Sequence, residues 1–100
     1  MMHMANDEMI PAEEFCSHHN IEISFIHSLH DYGLLEIRTV KSSHFIPAEQ
    51  LSEIEKMIRM HYDLNINMEG IDVITHLLKQ MEDMQSEMNE IRNRLKLFER

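Results

Sequence analysis

The stretch HSLHDYGLLEI, residues 27–37, has the pattern of a short helix that ends at a glycine and is followed by an extended segment. Leu29 and Tyr32 lie three residues apart, at helical spacing, and Gly33 follows them. Glycine adopts the left-handed backbone that commonly ends a helix. The apolar run after it then predicts the first strand of a hairpin.

The residues before this stretch predict two helices joined by a short turn. PAEEFCSHH, residues 11–19, places apolar and small side chains on one helical face, at Ala12, Phe15, Cys16 and His19. Pro11 suits the first turn of a helix, and Asn20 suits its end. NIEI, residues 20–23, is then the turn of a helix-turn-helix. The second helix runs from about Ser24 to Tyr32 and directs Phe25 or Ile26, Leu29 and Tyr32 inward.

The residues after it predict a wing and a third helix. LLEIRTV, residues 34–40, and SHFI, residues 43–46, flank KSS as two β-prone runs, so we expect a two-stranded wing. A third helix runs from Pro47 to Tyr62, and its inward face is Leu51, Ile54, Met57, Ile58 and His61. We therefore expect a mainly α, winged helix-turn-helix domain at residues 10–66, preceded by a disordered, polar leader at residues 1–9.

The most regular feature is a long C-terminal helix, for which Asn67 is a candidate N-cap. Apolar residues recur at alternating spacings of three and four, as in the a and d positions of a coiled coil: Ile74, Leu77, Met81, Met84, Met88, Ile91, Leu95 and Phe98. About 30 residues span about 45 Å, more than a small domain covers. We expect residues 67–100 to form a dimerisation helix with a second copy of the chain. The alternative is that the stripe folds onto its own domain. Glu87 and Arg92 fall at g and e, a pairing that favours parallel chains without deciding the orientation.

The charge of the chain bears on its partners. The net charge is −9 at pH 7, with seven acidic and two basic residues in residues 1–46. Such a field repels phosphate backbones and attracts basic proteins. The chain has one cysteine and no apolar run of 18 residues, which predicts a protein of the reducing cytoplasm, without a membrane partner.

A site for catalysis, a cofactor or a metal is not expected. Cys16, His18 and His19 lie close together, and His27 and His30 are three residues apart. The sequence has no C-x-x-C, no H-E-x-x-H and no glycine-rich phosphate loop, so we expect no enzyme, no metal ligands and no cofactor.

The order of these elements resembles the MerR-like family over about residues 10–98. The resemblance is carried by LHDYGLLEIR at residues 29–38 and AEQLSEIEKMI at residues 48–58. It implies a winged helix-turn-helix and, as one possible function, a dimeric DNA-binding transcriptional regulator.

A narrower resemblance is to the chaperone-modulator (CbpM) branch of that family. EEFCSHHNIE, IRMHYDLNINMEGIDVITHLLKQMEDM and EIRNRLKLF carry it. The positions that match the branch pattern are Arg59, Leu64, Gly70, Ile71, Val73, Leu77, Arg92, Arg94 and Leu95. The resemblance implies a regulator that binds and modulates the J domain of a DnaJ/CbpA-type co-chaperone.

The second helix decides between these two functions. Phosphate contacts and guanine readout depend on Lys and Arg, and residues 24–37 contain neither. We expect a protein-binding face at His27, His30, Asp31, Leu34, Leu35 and Glu36. If DNA is bound instead, the candidate residues are Ser24, His27, Arg38 and Lys41. A third possibility is that this face is only solvated.

Overall fold

The computed structural model describes residues 8–99. The elements in chain order are β1 (Met9–Pro11), α1 (Ala12–His19), α2 (Ile23–Asp31), β2 (Arg38–Val40), β3 (Ser43–Pro47), α3 (Leu51–Ile58) and α4 (Met68–Phe98). A 3-10 turn, Ala48–Gln50, precedes α3, and a π-helical turn, Arg59–Asp63, follows it. The predicted mainly α winged helix with a long C-terminal helix is therefore confirmed. None of the helices within residues 8–99 is long and apolar enough to cross a membrane.

The predicted end of α1 is confirmed. Asn20 adopts a left-handed backbone with φ of 61°. The amide of Ile21 donates to the carbonyl of Cys16 at 3.0 Å, and this closes the helix. Asparagine tolerates this conformation better than most residues, so the chain turns sharply into α2.

The end of α2 matches the prediction at Gly33 and departs from it at Tyr32. Gly33 has φ of 75°, and the amide of Leu34 donates to the carbonyl of Leu29 at 2.9 Å, as in a glycine-terminated helix. Phe25, Ile26 and Leu29 are buried. The prediction that Tyr32 points inward is wrong, because Tyr32 lies just past the helix and is 38% exposed.

The sheet has three strands rather than the two predicted for the wing. It is antiparallel in the order β1-β3-β2, and Ile10 pairs with Ile46. The predicted leader is therefore wrong at Met9, which begins β1; residues 1–7 of that segment lie outside the described residues. The strand β1 can join the sheet because β2 pairs with only one edge of β3 and leaves the other edge free.

The first wing strand is shorter than predicted. Residues 34–37 are not extended into the sheet, and β2 begins at Arg38. The backbone before β2 has other partners: Leu34 closes α2, and the amide of Glu36 donates to Oε1 of Gln50 at 2.9 Å.

The core lies between α1, α2, α3, the sheet and the first turns of α4. Its members are Ala12, Phe15, Cys16, Phe25, Ile26, Leu29, Leu35, Ile46, Ile54, Met57 and Ile71. Two further predicted inward residues of the third helix, Leu51 and Ile58, pack against it. His61 is half-buried and stacks on Phe25, with ring centroids 4.9 Å apart.

The helix α4 begins at the predicted N-cap. Oδ1 of Asn67 accepts a hydrogen bond from the amide of Gly70 at 2.8 Å. Only Ile71 of this helix is fully buried, so most of its 31 residues extend beyond the core.

Candidate functional site

The middle of α2 lies against the wing. The imidazoles of His27 and His44 meet edge to face, with centroids 5.3 Å apart. His44 pairs with Thr39 across the hairpin, and its Nδ1 lies 3.2 Å from Oγ1 of Thr39. The exposed residues of α2, of the wing and of the segment that joins them are here together called the α2–wing surface. Its polar and charged members are His27, His30, Asp31, Glu36, Arg38, Lys41 and His44.

The α2–wing surface carries little positive charge. Arg38 lies 3.7 Å from Glu36 and is in part neutralised by it. Lys41 sits at the tip of the hairpin, where φ is 51°. With neutral imidazoles, Asp31 and Glu36 balance these two cations. A phosphate backbone would therefore meet no net attraction there.

The structure places the residues of the predicted protein-binding face on two different sides. His30, Asp31 and Glu36 are exposed, and His27 is half-buried. The prediction that Leu35 contributes to an exposed face is wrong: it is 5% exposed, because the chain re-enters the core after Gly33. The imidazole of His30 holds this turn, since its Nδ1 lies 3.2 Å from the carbonyl oxygen of Leu35.

Leu34 lies on another side of the domain. It is half-buried and lines an apolar groove of about 650 Å³ between α3 and α4. The other apolar side chains of this groove are Met57, Met60, Leu78 and Met81. Glu53, Lys56, Lys79 and Glu82 also line it, so its rim carries both signs of charge.

The predicted DNA-binding residues do not form a cationic cluster. Ser24 is exposed on α2, and its hydroxyl donates to Oε1 of Glu22 at 3.3 Å. Arg38 and Lys41 lie on the wing. The N-terminal end of α2 thus presents a carboxylate where a DNA-reading helix needs donors.

The coiled-coil stripe of α4 is exposed along most of its length. Ile74 is half-buried beside the domain. The other seven members are between 47% and 84% exposed: Leu77, Met81, Met84, Met88, Ile91, Leu95 and Phe98. A monomer in water would leave this whole stripe hydrated, which is unfavourable for large apolar side chains.

The cysteine and histidine residues near α1 have structural contacts. Cys16 is buried, and burial together with the charge of Glu13 raises the pKa of its thiol. Nδ1 of His19 lies 3.2 Å from the carbonyl oxygen of Phe15, and its Nε2 lies 3.4 Å from Glu55. Within residues 8–99, groups of three or more potential metal ligands are absent.

His44 belongs to the α2–wing surface but was not a sequence-based candidate. The hairpin register that pairs it with Thr39 follows from the two residues at the turn, Lys41 and Ser42, which both have positive φ. The alternation of side chains along SHFI, residues 43–46, is the sequence signal that could have identified His44 as a member of this surface.

Comparison with known protein families agrees with this architecture. The family described as MerR HTH family regulatory protein matches residues 10–93, which covers α1, α2, the wing, α3 and most of α4. The comparisons with curated proteins and with solved structures gave no match. Because the match extends over most of the sequence, the chain belongs to the MerR helix-turn-helix family of regulatory proteins.

Proposed function

We propose that this MerR-family chain is a non-enzymatic regulator that binds and modulates a J-domain co-chaperone of the DnaJ/CbpA type. The resemblance of its N- and C-terminal motifs to the chaperone-modulator branch suggests the partner. The charge of the α2–wing surface supports a protein ligand over a nucleic acid.

The shortage of cations on the α2–wing surface carries this proposal. The helix α2 contains no lysine or arginine, and carboxylates lie at both of its ends, Glu22 and Asp31. Phosphate contacts supply most nucleic-acid affinity, so a DNA-binding helix of this composition lacks its main attraction. A basic helix of a partner protein is attracted by the same carboxylates.

The structure changes the contacts that we propose. Leu35 is buried and therefore makes no contact with the partner. Leu34 lines the groove between α3 and α4. Asp31 and Glu36 remain as exposed acidic contacts. Val40, which is 56% exposed on the wing, replaces Leu35 as the apolar contact.

Calorimetry with a purified J domain from the same organism tests the proposal. We expect binding that weakens as salt rises, because the Debye length falls from about 30 Å at 0.01 M to about 8 Å at 0.15 M ionic strength. Val40→Ala should weaken binding, whereas Val73→Ala, a matched change on the exposed side of α4, should not. No heat at any salt concentration would contradict the proposal.

DNA binding is the second candidate function, and the family match favours it. The wing and the exposed side of α2 have the arrangement that DNA-binding members of such a fold use, with Ser24, His27, Arg38 and Lys41 as contacts. The charge balance described above argues against it.

We further propose that the chain forms a homodimer through α4. The exposed stripe has the a and d spacing of a coiled coil over more than three heptads. A second copy of the same stripe covers it with matching periodicity and length.

A further inference from the structure

We infer that the imidazoles of the α2–wing surface form a pH-dependent switch: when they are protonated, the wing separates from α2 and the surface repels the basic partner that it binds at neutral pH. This inference rests on the function proposed above and adds the regulation of the same site. The central pair of the switch is His27 on α2 and His44 on β3, and His30 is the third imidazole of the surface.

The contact within the central pair joins α2 to the wing. The ring centroids of His27 and His44 are 5.3 Å apart, at an interplanar angle of 86°. His44 and the buried Ile46 alternate with Phe45 along β3, so His44 lies on the face of the sheet that meets the helices. An edge-to-face contact suits neutral rings, whereas two imidazolium cations at this distance repel each other. Protonation of both rings therefore weakens the contact between helix and wing.

The outer part of the wing is exposed on either side of its turn. Every residue from Arg38 to His44 is exposed. Phe45 is half-buried, and burial is complete at Ile46, where β3 pairs with β1. Segments with few buried apolar contacts open at low cost in free energy. Repulsion within the central pair can therefore move the tip of the hairpin away from α2 while the base of the sheet stays in the core.

Four charged groups share the surface with the imidazoles. Asp31 lies one turn of α2 after His27 and favours the protonated ring. Arg38 and Lys41 on the wing disfavour it, and Glu36 lies 3.7 Å from Arg38 and offsets its charge in part. These two carboxylates and two cations balance, so protonation of the imidazoles decides the sign of the surface charge.

Three other elements that lie against α2 or β3 carry titratable groups. On α4, Glu69 accepts a hydrogen bond from Tyr32, and in the π-helical turn His61 stacks on Phe25. The helix α1 carries Glu13, Glu14, Cys16, His18 and His19. Within residues 8–99, none of these groups forms an ion pair or a ring contact with the central pair. The charge that the central pair gains on protonation is therefore not neutralised by an ion pair.

Protonation changes what the surface attracts. When all three imidazoles are protonated, the balanced surface gains three positive charges. Histidine changes its charge between about pH 5 and pH 8, whereas carboxyl groups titrate at about pH 4. A basic partner is therefore bound while the imidazoles are neutral and is released as pH falls through the range in which they are protonated.

Nuclear magnetic resonance on the full chain alone tests the opening of the wing. Ring protons of His27 and His44 should show a nuclear Overhauser effect at about pH 7.5, and it should disappear at about pH 5.5. The rings of Phe25 and Tyr62, with centroids 5.4 Å apart, are the reference, because neither titrates in this range. A contact between His27 and His44 that persists at about pH 5.5 would overturn the inference.

The association rate with a purified J domain tests the release. At low salt, the wild-type rate should fall about tenfold from about pH 7.5 to about pH 5.5. His27→Gln with His44→Gln removes two of the three titrating charges and should reduce this fall to about twofold. His18→Gln with His76→Gln removes two exposed histidines outside the surface and should keep the tenfold fall. The J domain is the same throughout, so an equal fall in both variants would overturn the inference.

A fixed charge provides a second test at neutral pH. His44→Lys, at an exposed position, carries a positive charge at both pH values and should slow association about twofold already at about pH 7.5. His76→Lys makes the same change on α4 and should leave the rate unchanged. Association of His44→Lys at the wild-type rate would contradict the switch.

The outcomes separate this inference from the function proposed above. Absence of J-domain binding at about pH 7.5 would contradict the proposed function, and the nuclear Overhauser measurement would still decide whether protonation opens the wing. Binding that is equally fast at about pH 7.5 and at about pH 5.5 would contradict the inference alone.

Discussion

The hydroxyl group of Tyr32 donates a 2.9 Å hydrogen bond to Oε2 of Glu69. This bond joins the end of α2 to the first turn of α4, and thus ties the α2–wing surface to the proposed dimerisation helix. The carboxylate of Glu69 accepts hydrogen bonds from its own backbone amide and from Tyr32, and these lower its pKa from 4.5. The same hydrogen bond, more than burial, raises the pKa of Tyr32 above 10.0.

The contribution of this bond to stability should depend on pH. Because the pKa of Glu69 is lowered in the folded chain, its contribution is present above pH 4.5 and is lost as pH falls through the lowered pKa. Because the pKa of Tyr32 is raised, its contribution is present below pH 10.0 and is lost as pH rises through the raised value. Tyr32→Phe should therefore be less stable than wild type between these limits, and the difference should shrink toward both extremes.

Urea unfolding across that pH range measures the difference. Tyr62→Phe is the matched control: Tyr62 is also exposed, its ring contacts with Phe25 and His61 are kept by phenylalanine, and its hydroxyl group accepts a long, 3.4 Å hydrogen bond from the amide of Glu22. Tyr32 does not ionise between pH 3 and pH 7. If the difference in unfolding free energy between wild type and Tyr32→Phe is constant over this range, the carboxylate of Glu69 does not contribute to it.

Gly70→Ala should destabilise the fold. A Cβ atom at position 70 would lie 2.6 Å from Cγ2 of Ile66 and 3.1 Å from Oδ1 of Asn67, the oxygen that caps α4. Alanine favours a helix over glycine by about 1 kcal/mol. The loss of the cap costs about 1 kcal/mol, and displacement of a packed methyl group adds about 1–3 kcal/mol. We therefore expect a net loss of about 1–3 kcal/mol in chemical denaturation. Ser86→Ala, at an exposed site of the same helix, is the control, and a stabilised Gly70→Ala would contradict the packing described here.

Local signals predicted most of the helix boundaries, whereas contacts distant in sequence were missed. Asn20, Gly33 and Asn67 act through neighbouring residues, so their roles follow from short motifs. The strand β1 depends on pairing Met9 with Pro47, and three extended residues give no pattern by themselves.

The same contrast holds for the candidate site: its local features were predicted, and its contacts between distant residues were not. The spacing of α2 placed Asp31 on an exposed side, and this was correct. Leu35 follows the turn at Gly33. Whether its side chain is buried depends on how the chain packs onto the core after this turn, and local sequence patterns do not show this. His44 joins the surface only because the hairpin folds onto α2, a contact that helical periodicity does not describe.

DNA binding by the wild-type chain should be weak and independent of sequence. A gel-shift series with random duplexes at low salt should show only diffuse, salt-sensitive complexes, since the α2–wing surface offers two cations and two carboxylates. Asp31→Lys with Glu36→Lys should strengthen this nonspecific binding. A sequence-selective complex of nanomolar affinity that persists at about 0.15 M salt would contradict the proposed function and support the DNA-binding alternative.

The same two substitutions should slow association with a J domain. Reversal of both charges removes the attraction that steers a basic helix toward the α2–wing surface, and charge changes at an interface rim act mainly on association. We expect about a tenfold lower association rate at low salt and a smaller effect at high salt. Stopped-flow mixing measures it. Glu13→Lys with Glu14→Lys makes the same change in net charge on α1, so equal slowing by both variants would place the contact elsewhere.

The exposed stripe of α4 should hold the two copies of the chain together. Met84→Lys with Met88→Lys should convert the chain to a monomer, because both lysines would lie in an apolar helix interface without a partner charge in either orientation. Light scattering at tens of micromolar should give twice the chain mass of 12.0 kDa for the wild type and the chain mass for this variant. Ser86→Lys with Asn93→Lys adds the same charge on the outer side of the helix and should remain dimeric. If both variants dissociate, the loss of the dimer does not depend on the apolar stripe. If neither dissociates, the two copies meet through a different surface.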